Sequence, residues 1–109
     1  MSLDVSIMAV RTVEVYTRNI THNLTDMADA VGLYKPIWRP EEMTPSIVFV
    51  KDLIPILQKG LDELIVKENE LIKLNESNGW GTYPQLVTFV QDYLNACLAN
   101  PDGTIRVNR

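Results

Sequence analysis

Residues 11–24 read RTVEVYTRNITHNL, and residues 104–108 near the other end read TIRVN. From Arg11 to Ile20 the chain alternates, with Val13 and Val15 on one face and Thr12, Glu14 and Tyr16 on the other. β-Branched and aromatic side chains dominate, and these suit a pleated, half-buried surface, so the stretch is read as a strand. Thr104 to Asn108 alternates in the same way, after a turn at Asn100-Pro101-Asp102-Gly103. Leu3, Val5 and Ile7 also alternate, as either a short extra strand or a loose terminal arm. Strands at both ends of a compact chain pair most simply with each other, leaving the helices on one face. The expected fold is therefore α+β. It is a two- or three-stranded sheet formed by the N- and C-terminal strands, packed against about four helices. So narrow a sheet has open edges, and its extension across a homodimer interface stands as an alternative to a monomer.

The helices between the strands are read from apolar spacing. Leu24, Met27, Ala28 and Val31 share one helical face, with Thr21 or Asn23 as cap and Gly32 in place for a left-handed terminator. Leu33 to Met43 holds Pro36 and Pro40 around Trp38 and Arg39, which reads as an ordered loop or broken helical turn. Thr44-Pro45 is read as a helix start, followed by the stripe Leu53, Ile54, Leu57, Leu61, Leu64 and Ile65. Pro55 lies inside that stripe and marks either a break between two helices or a kink. A shorter helical segment is expected over Asn69 to Leu74. Thr82 and Gln85 form a capping-box pattern, and the helix they open buries Leu86, Phe89, Val90, Tyr93, Leu94 and Cys97.

The chain has 109 residues, 46% of them hydrophobic, which is one ordinary domain able to bury roughly two thirds of its unfolded surface. Residues 1–10 are either an N-terminal extension or an extra strand. A net charge of −4 disfavours a duplex nucleic-acid binder, which needs a basic face against phosphates. The single cysteine, Cys97, excludes an intrachain disulfide and fits a cytoplasmic location. No apolar run approaches the ~20 residues of a membrane span.

Three clusters carry functional readings, each beside a structural one. Thr21, His22 and Asn23 sit at a strand-to-helix junction. There they either build a pocket for a polar or anionic ligand or merely cap a helix. Asn78-Gly79-Trp80-Gly81 presents an indole to a ligand or tucks it into the core. Tyr34, Trp38 and Arg39 suit a protein-interaction surface, or a lid packed over the helical layer. A lone histidine excludes a multi-histidine metal site, and Cys97 lies on a core-facing stripe where the thiol is inert. No phosphate-binding or nucleophile-elbow motif is present, and neither a metal nor a cofactor is expected.

The strand running into Asn19-Ile20-Thr21-His22-Asn23-Leu24, the Leu53-Ile54-Pro55-Ile56-Leu57 helix with Lys59-Gly60-Leu61, the Asn78-Gly79-Trp80-Gly81-Thr82-Tyr83 segment and the closing Ile105-Arg106-Val107 resemble a known family. It consists of small, largely uncharacterised proteins of bacteria, prophages and phages. The resemblance covers nearly everything after Val13. It implies a mobile-element setting and supplies no catalytic residue. The leading expectation is a non-enzymatic binding protein for a small polar or nucleotide-like ligand, using Thr21, His22, Asn23, Asn78 and Trp80. The alternative is a module that inhibits or regulates a host protein through Tyr34, Trp38 and Arg39, or through an open strand edge. A third reading is a small enzyme with His22 as acid or base.

Overall fold

The computed structural model of the chain describes residues 1–9, 13–75 and 81–109. Leu3, Val5 and Ile7 are fully buried, so the first alternating stretch is a strand and not an arm. It forms β1 (Ser2–Met8), the central strand of a three-stranded antiparallel sheet. β2 (Glu14–Thr21) flanks it on one side and β3 (Thr104–Asn108) on the other. The terminal strands thus pair as expected, and the helices lie on one face.

Register decides which side chains meet those helices. Leu3 pairs with Ile20, Val5 with Arg18 and Val107, and Ile7 with Tyr16 and Ile105. Partners directly opposite share a face, so these residues line the helical side. The other face is polar. Asn19 Nδ2 donates to Ser2 Oγ at 2.9 Å and to Asp4 Oδ1 at 2.8 Å, and Ser6 Oγ donates to Glu14 Oε1 at 3.0 Å. The register shifts between Ile7 and Met8. Beyond that irregularity Val13 and Val15 are exposed, while Tyr16 stacks on Tyr93 with ring centroids 6.0 Å apart.

After β2 a 3-10 turn (His22–Leu24) leads into α1 (Thr25–Asp29), which Gly32 closes at φ 75°. The proline-flanked region folds as α2 (Tyr34–Trp38) and a 3-10 turn at Pro40–Glu42. Thr44-Pro45 does not start a helix. The Ile105 amide donates to the Val48 carbonyl at 2.8 Å, and Phe49 bridges Thr104, so this segment stays extended along β3. Helix α3 begins only at Val50 and runs unbroken to Val66. Pro55 lies within its second turn, so the carbonyl left without an amide belongs to exposed Lys51, where water can reach it. α4 (Glu68–Leu71), a 3-10 turn (Ile72–Leu74) and α5 (Tyr83–Ala99) complete the helical layer. The expected core face of α5 is buried at every position.

Gly60 sets how closely α3 approaches the α1–α2 connection. A Cβ there would stand 2.3 Å from Leu33 Cδ2, and Leu33 is fully buried. Alanine gains helix propensity but overpacks this contact. Gly60→Ala is expected to cost a net ~1–2 kcal/mol, read from a urea unfolding midpoint.

Candidate functional site

Thr21, His22 and Asn23 are consecutive, and their side chains go to three different surroundings. Thr21 is extended, and its Oγ1 accepts from the Asn23 amide at 3.2 Å. Asn23 lies against Gly81: a Cβ on Gly81 would stand 2.9 Å from Asn23 Cβ, and Gly81 has φ 103°. Asn78 and Trp80 lie outside the described residues.

His22 joins the cluster of Tyr34, Trp38 and Arg39. Trp38 Nε1 donates to His22 Nδ1 at 2.9 Å. An indole N–H can only donate, so Nδ1 is the acceptor and the neutral imidazole carries its proton on Nε2. Trp38 is 2% exposed, which removes its ring from the outer surface. Tyr34 packs on it with centroids 6.1 Å apart. Arg39 Nε donates to the Tyr34 hydroxyl oxygen at 3.0 Å, and another guanidinium nitrogen pairs with Glu42 at 2.9 Å. Hydrogen bonding to Tyr34, then to Glu42, raises the Arg39 pKa further. Arg109 donates to the Trp38 carbonyl at 2.8 Å and to Glu41, whose carboxyl pKa it lowers through that hydrogen bond. The result is a cavity of about 240 Å³ lined by His22, Thr25, Tyr34, Trp38, Arg39 and Arg109. His22 thus parts from Thr21 and Asn23 and shares one cavity with Tyr34, Trp38 and Arg39. Arg109 carries no sequence signal, because only the docking of its carrier strand beside β1 brings it there.

A second concavity, of about 430 Å³, runs between β2 and α5. Ile20, Leu24 and Phe89 give it apolar lining, and Arg18, Thr21, Gln85 and Thr88 bring polar groups to it. Arg18 forms an ion pair with Asp92, tying the strand to the helix. The start of α5 is already satisfied. Gln85 Oε1 accepts from the Gly81 and Thr82 amides at 3.0 and 2.9 Å, and Asn75 Oδ1 accepts from Tyr83 at 2.7 Å. With those amides occupied, the helix start has little to offer an anion.

The outer edge of β2 borders this groove. The His22 amide donates to the Met1 carbonyl at 3.4 Å, which fixes the alternation. Ile20, Arg18 and Tyr16 point their backbone groups inward to β1, and Thr21, Asn19 and Thr17 point theirs outward. On the far side, the Ile105 amide points away from β1 and meets Val48, as the same alternation requires. The 48–50 segment thus covers part of the β3 edge. Among the described residues no strand covers the edge of β2.

Among the described residues no cluster of His, Cys, Asp and Glu could hold a metal. Cys97 is fully buried, and burial pushes its thiol pKa up to about 12. In the native protein it should resist iodoacetamide at pH 8 and react once the chain is unfolded in urea; mass spectrometry reads both states. No helix among the described residues is long and apolar enough to cross a membrane. Comparison with protein-family models, curated proteins and solved structures finds no match to this chain.

Proposed function

We propose that the chain is a non-enzymatic binding domain that takes an extended segment of a partner protein along the outer edge of β2. The observation that carries this reading is that, among the described residues, no strand covers the edge of β2 directly beside the groove against α5. Backbone groups of Thr17, Asn19 and Thr21 would pair with the incoming strand. Its alternate side chains would then point toward the helical face and enter the groove. Main-chain pairing gives affinity without sequence preference. Ile20, Leu24 and Phe89 select an apolar side chain for the groove. On the polar face the strand would lie beside Thr17 and Asn19, which favours small polar residues there.

This mode suits the mobile-element setting implied by the resemblance, where a small domain acts by occupying a host protein. The polar atoms at the β2 junction also support it. Thr21 Oγ1 and His22 Nδ1 are both engaged within the fold, so neither atom is spare for a ligand. A displayed library of extended peptides, selected on the intact protein, tests the proposal. Enriched sequences should alternate apolar and polar residues and should lose binding to Thr17→Pro. Enrichment without alternation, or binding that survives this proline, would count against it.

A further inference from the structure

We propose that the cavity lined by His22, Thr25, Tyr34, Arg39 and Arg109 binds a tetrahedral oxyanion, either inorganic phosphate or the phosphate of a monoester. The site is separate from the β2 groove and does not depend on the peptide reading.

The chemistry follows from which atoms are already used. His22 Nδ1 accepts from Trp38, so the free ring nitrogen is a donor. The Tyr34 oxygen accepts from Arg39 Nε, so its hydroxyl proton is left to point elsewhere. Arg109 meets Glu41 through one nitrogen only, at 2.8 and 2.9 Å to the two carboxylate oxygens. This is not the two-pronged arrangement, in which parallel N–H groups each take one oxygen, so the rest of the guanidinium fork is left over. Arg39 likewise holds Glu42 through one terminal nitrogen. The Thr25 hydroxyl adds a further donor. The lining thus offers mainly donors, two of them on guanidinium groups, which is the composition that recognises a multiply charged oxyanion.

Glu41 and Glu42 do not line the cavity, and their pairs with the arginines are half exposed. Such pairs are weak and exchange readily for a doubly charged ligand. Size narrows the choice. About 240 Å³ is below the roughly 300–1,000 Å³ of pockets that enclose drug-sized molecules. An oxyanion fits inside, and the rest of a monoester would lie outside the mouth.

The test is an NMR titration of the intact protein with sodium phosphate, against sodium chloride at matched ionic strength and pH. The signals followed are the His22 imidazole and the Arg39 and Arg109 Nε–H groups. Saturable shifts at these groups are expected with phosphate alone. Arg39→Gln and Arg109→Gln should each weaken binding about tenfold or more, the loss of a charged hydrogen-bond partner. Lys51→Gln, at a cation outside the cavity, should leave binding unchanged. Should Arg39→Gln fail to fold, Arg109→Gln, at a partly exposed side chain beyond β3, keeps the test decisive. Adenosine monophosphate as a second probe separates the sources: tighter binding than phosphate points to a monoester, and equal or weaker binding to the free anion. Shifts that merely follow ionic strength, or phosphate affinity unchanged in Arg109→Gln, would overturn the proposal.

Discussion

Trp38→Ala is expected to lower the stability of the fold by about 3–5 kcal/mol, as loss of a buried large aromatic does elsewhere. The effect is large because the Trp38 side chain links α2 to the turn that follows β2. Its ring is 2% exposed and packs on Tyr34 within α2. Its indole N–H reaches His22 in the turn that follows β2. Domains of this kind have only about 5–15 kcal/mol of total stability, so the variant should lose a large fraction of it. Trp38→Phe separates packing from hydrogen bonding. It keeps most of the apolar surface and leaves His22 Nδ1 without its donor, so its loss should be nearer 1–3 kcal/mol. Urea denaturation of both variants gives the comparison. A loss below about 1 kcal/mol for Trp38→Ala would be incompatible with the burial described, since fully burying such a side chain is worth more.

Proline at two neighbouring positions of β2 should have opposite consequences. The amide of Thr17 points outward and that of Arg18 points inward to Val5. Thr17→Pro removes a donor that only an incoming strand would use, and proline is tolerated on such an edge. Stability should change by less than about 1 kcal/mol, while affinity for a selected peptide falls by roughly tenfold to a hundredfold. Arg18→Pro removes a donor from the ladder itself and also the ion pair with Asp92. That variant should lose about 3 kcal/mol or more of stability. Calorimetric melting together with fluorescence polarisation of a labelled peptide reads both effects. Equal destabilisation by the two prolines would mean that the inward and outward alternation is wrong.

Much of the fold is legible from local chemistry. The alternation of β2 and β3, the Thr82–Gln85 capping pattern and the apolar stripe of α5 are each decided within a few residues. The central place of β1 is not. Leu3, Val5 and Ile7 would alternate equally in a free arm, and only pairing on both sides makes them the middle of the sheet. The Thr44-Pro45 signal misleads because long-range pairing of Val48 and Phe49 with β3 overrides a local preference. Val13 and Val15 share the face opposite Tyr16 in the sequence pattern, and only the packing of Tyr16 on Tyr93 decides that theirs is the exposed one.

The candidate site is legible in pieces. His22 stands out as the only histidine, and Trp38 and Arg39 as an aromatic–cation pair. That they share a cavity is a tertiary fact, and so is the arrival of Arg109 from the far end of the chain. The groove against α5 has no motif, because Ile20, Leu24 and Phe89 look like ordinary core positions, and only the packing of β2 against α5 places them along a groove.

Amide hydrogen exchange across β2, with and without a selected peptide, tests the central claim most directly. In the free protein Tyr16, Arg18 and Ile20 should exchange slowly, and Thr17 and Asn19 should exchange fast. Bound peptide should slow Thr17 and Asn19 together and leave the 48–50 segment unchanged. Protection that appears elsewhere while Thr17 and Asn19 stay fast would contradict docking on this edge.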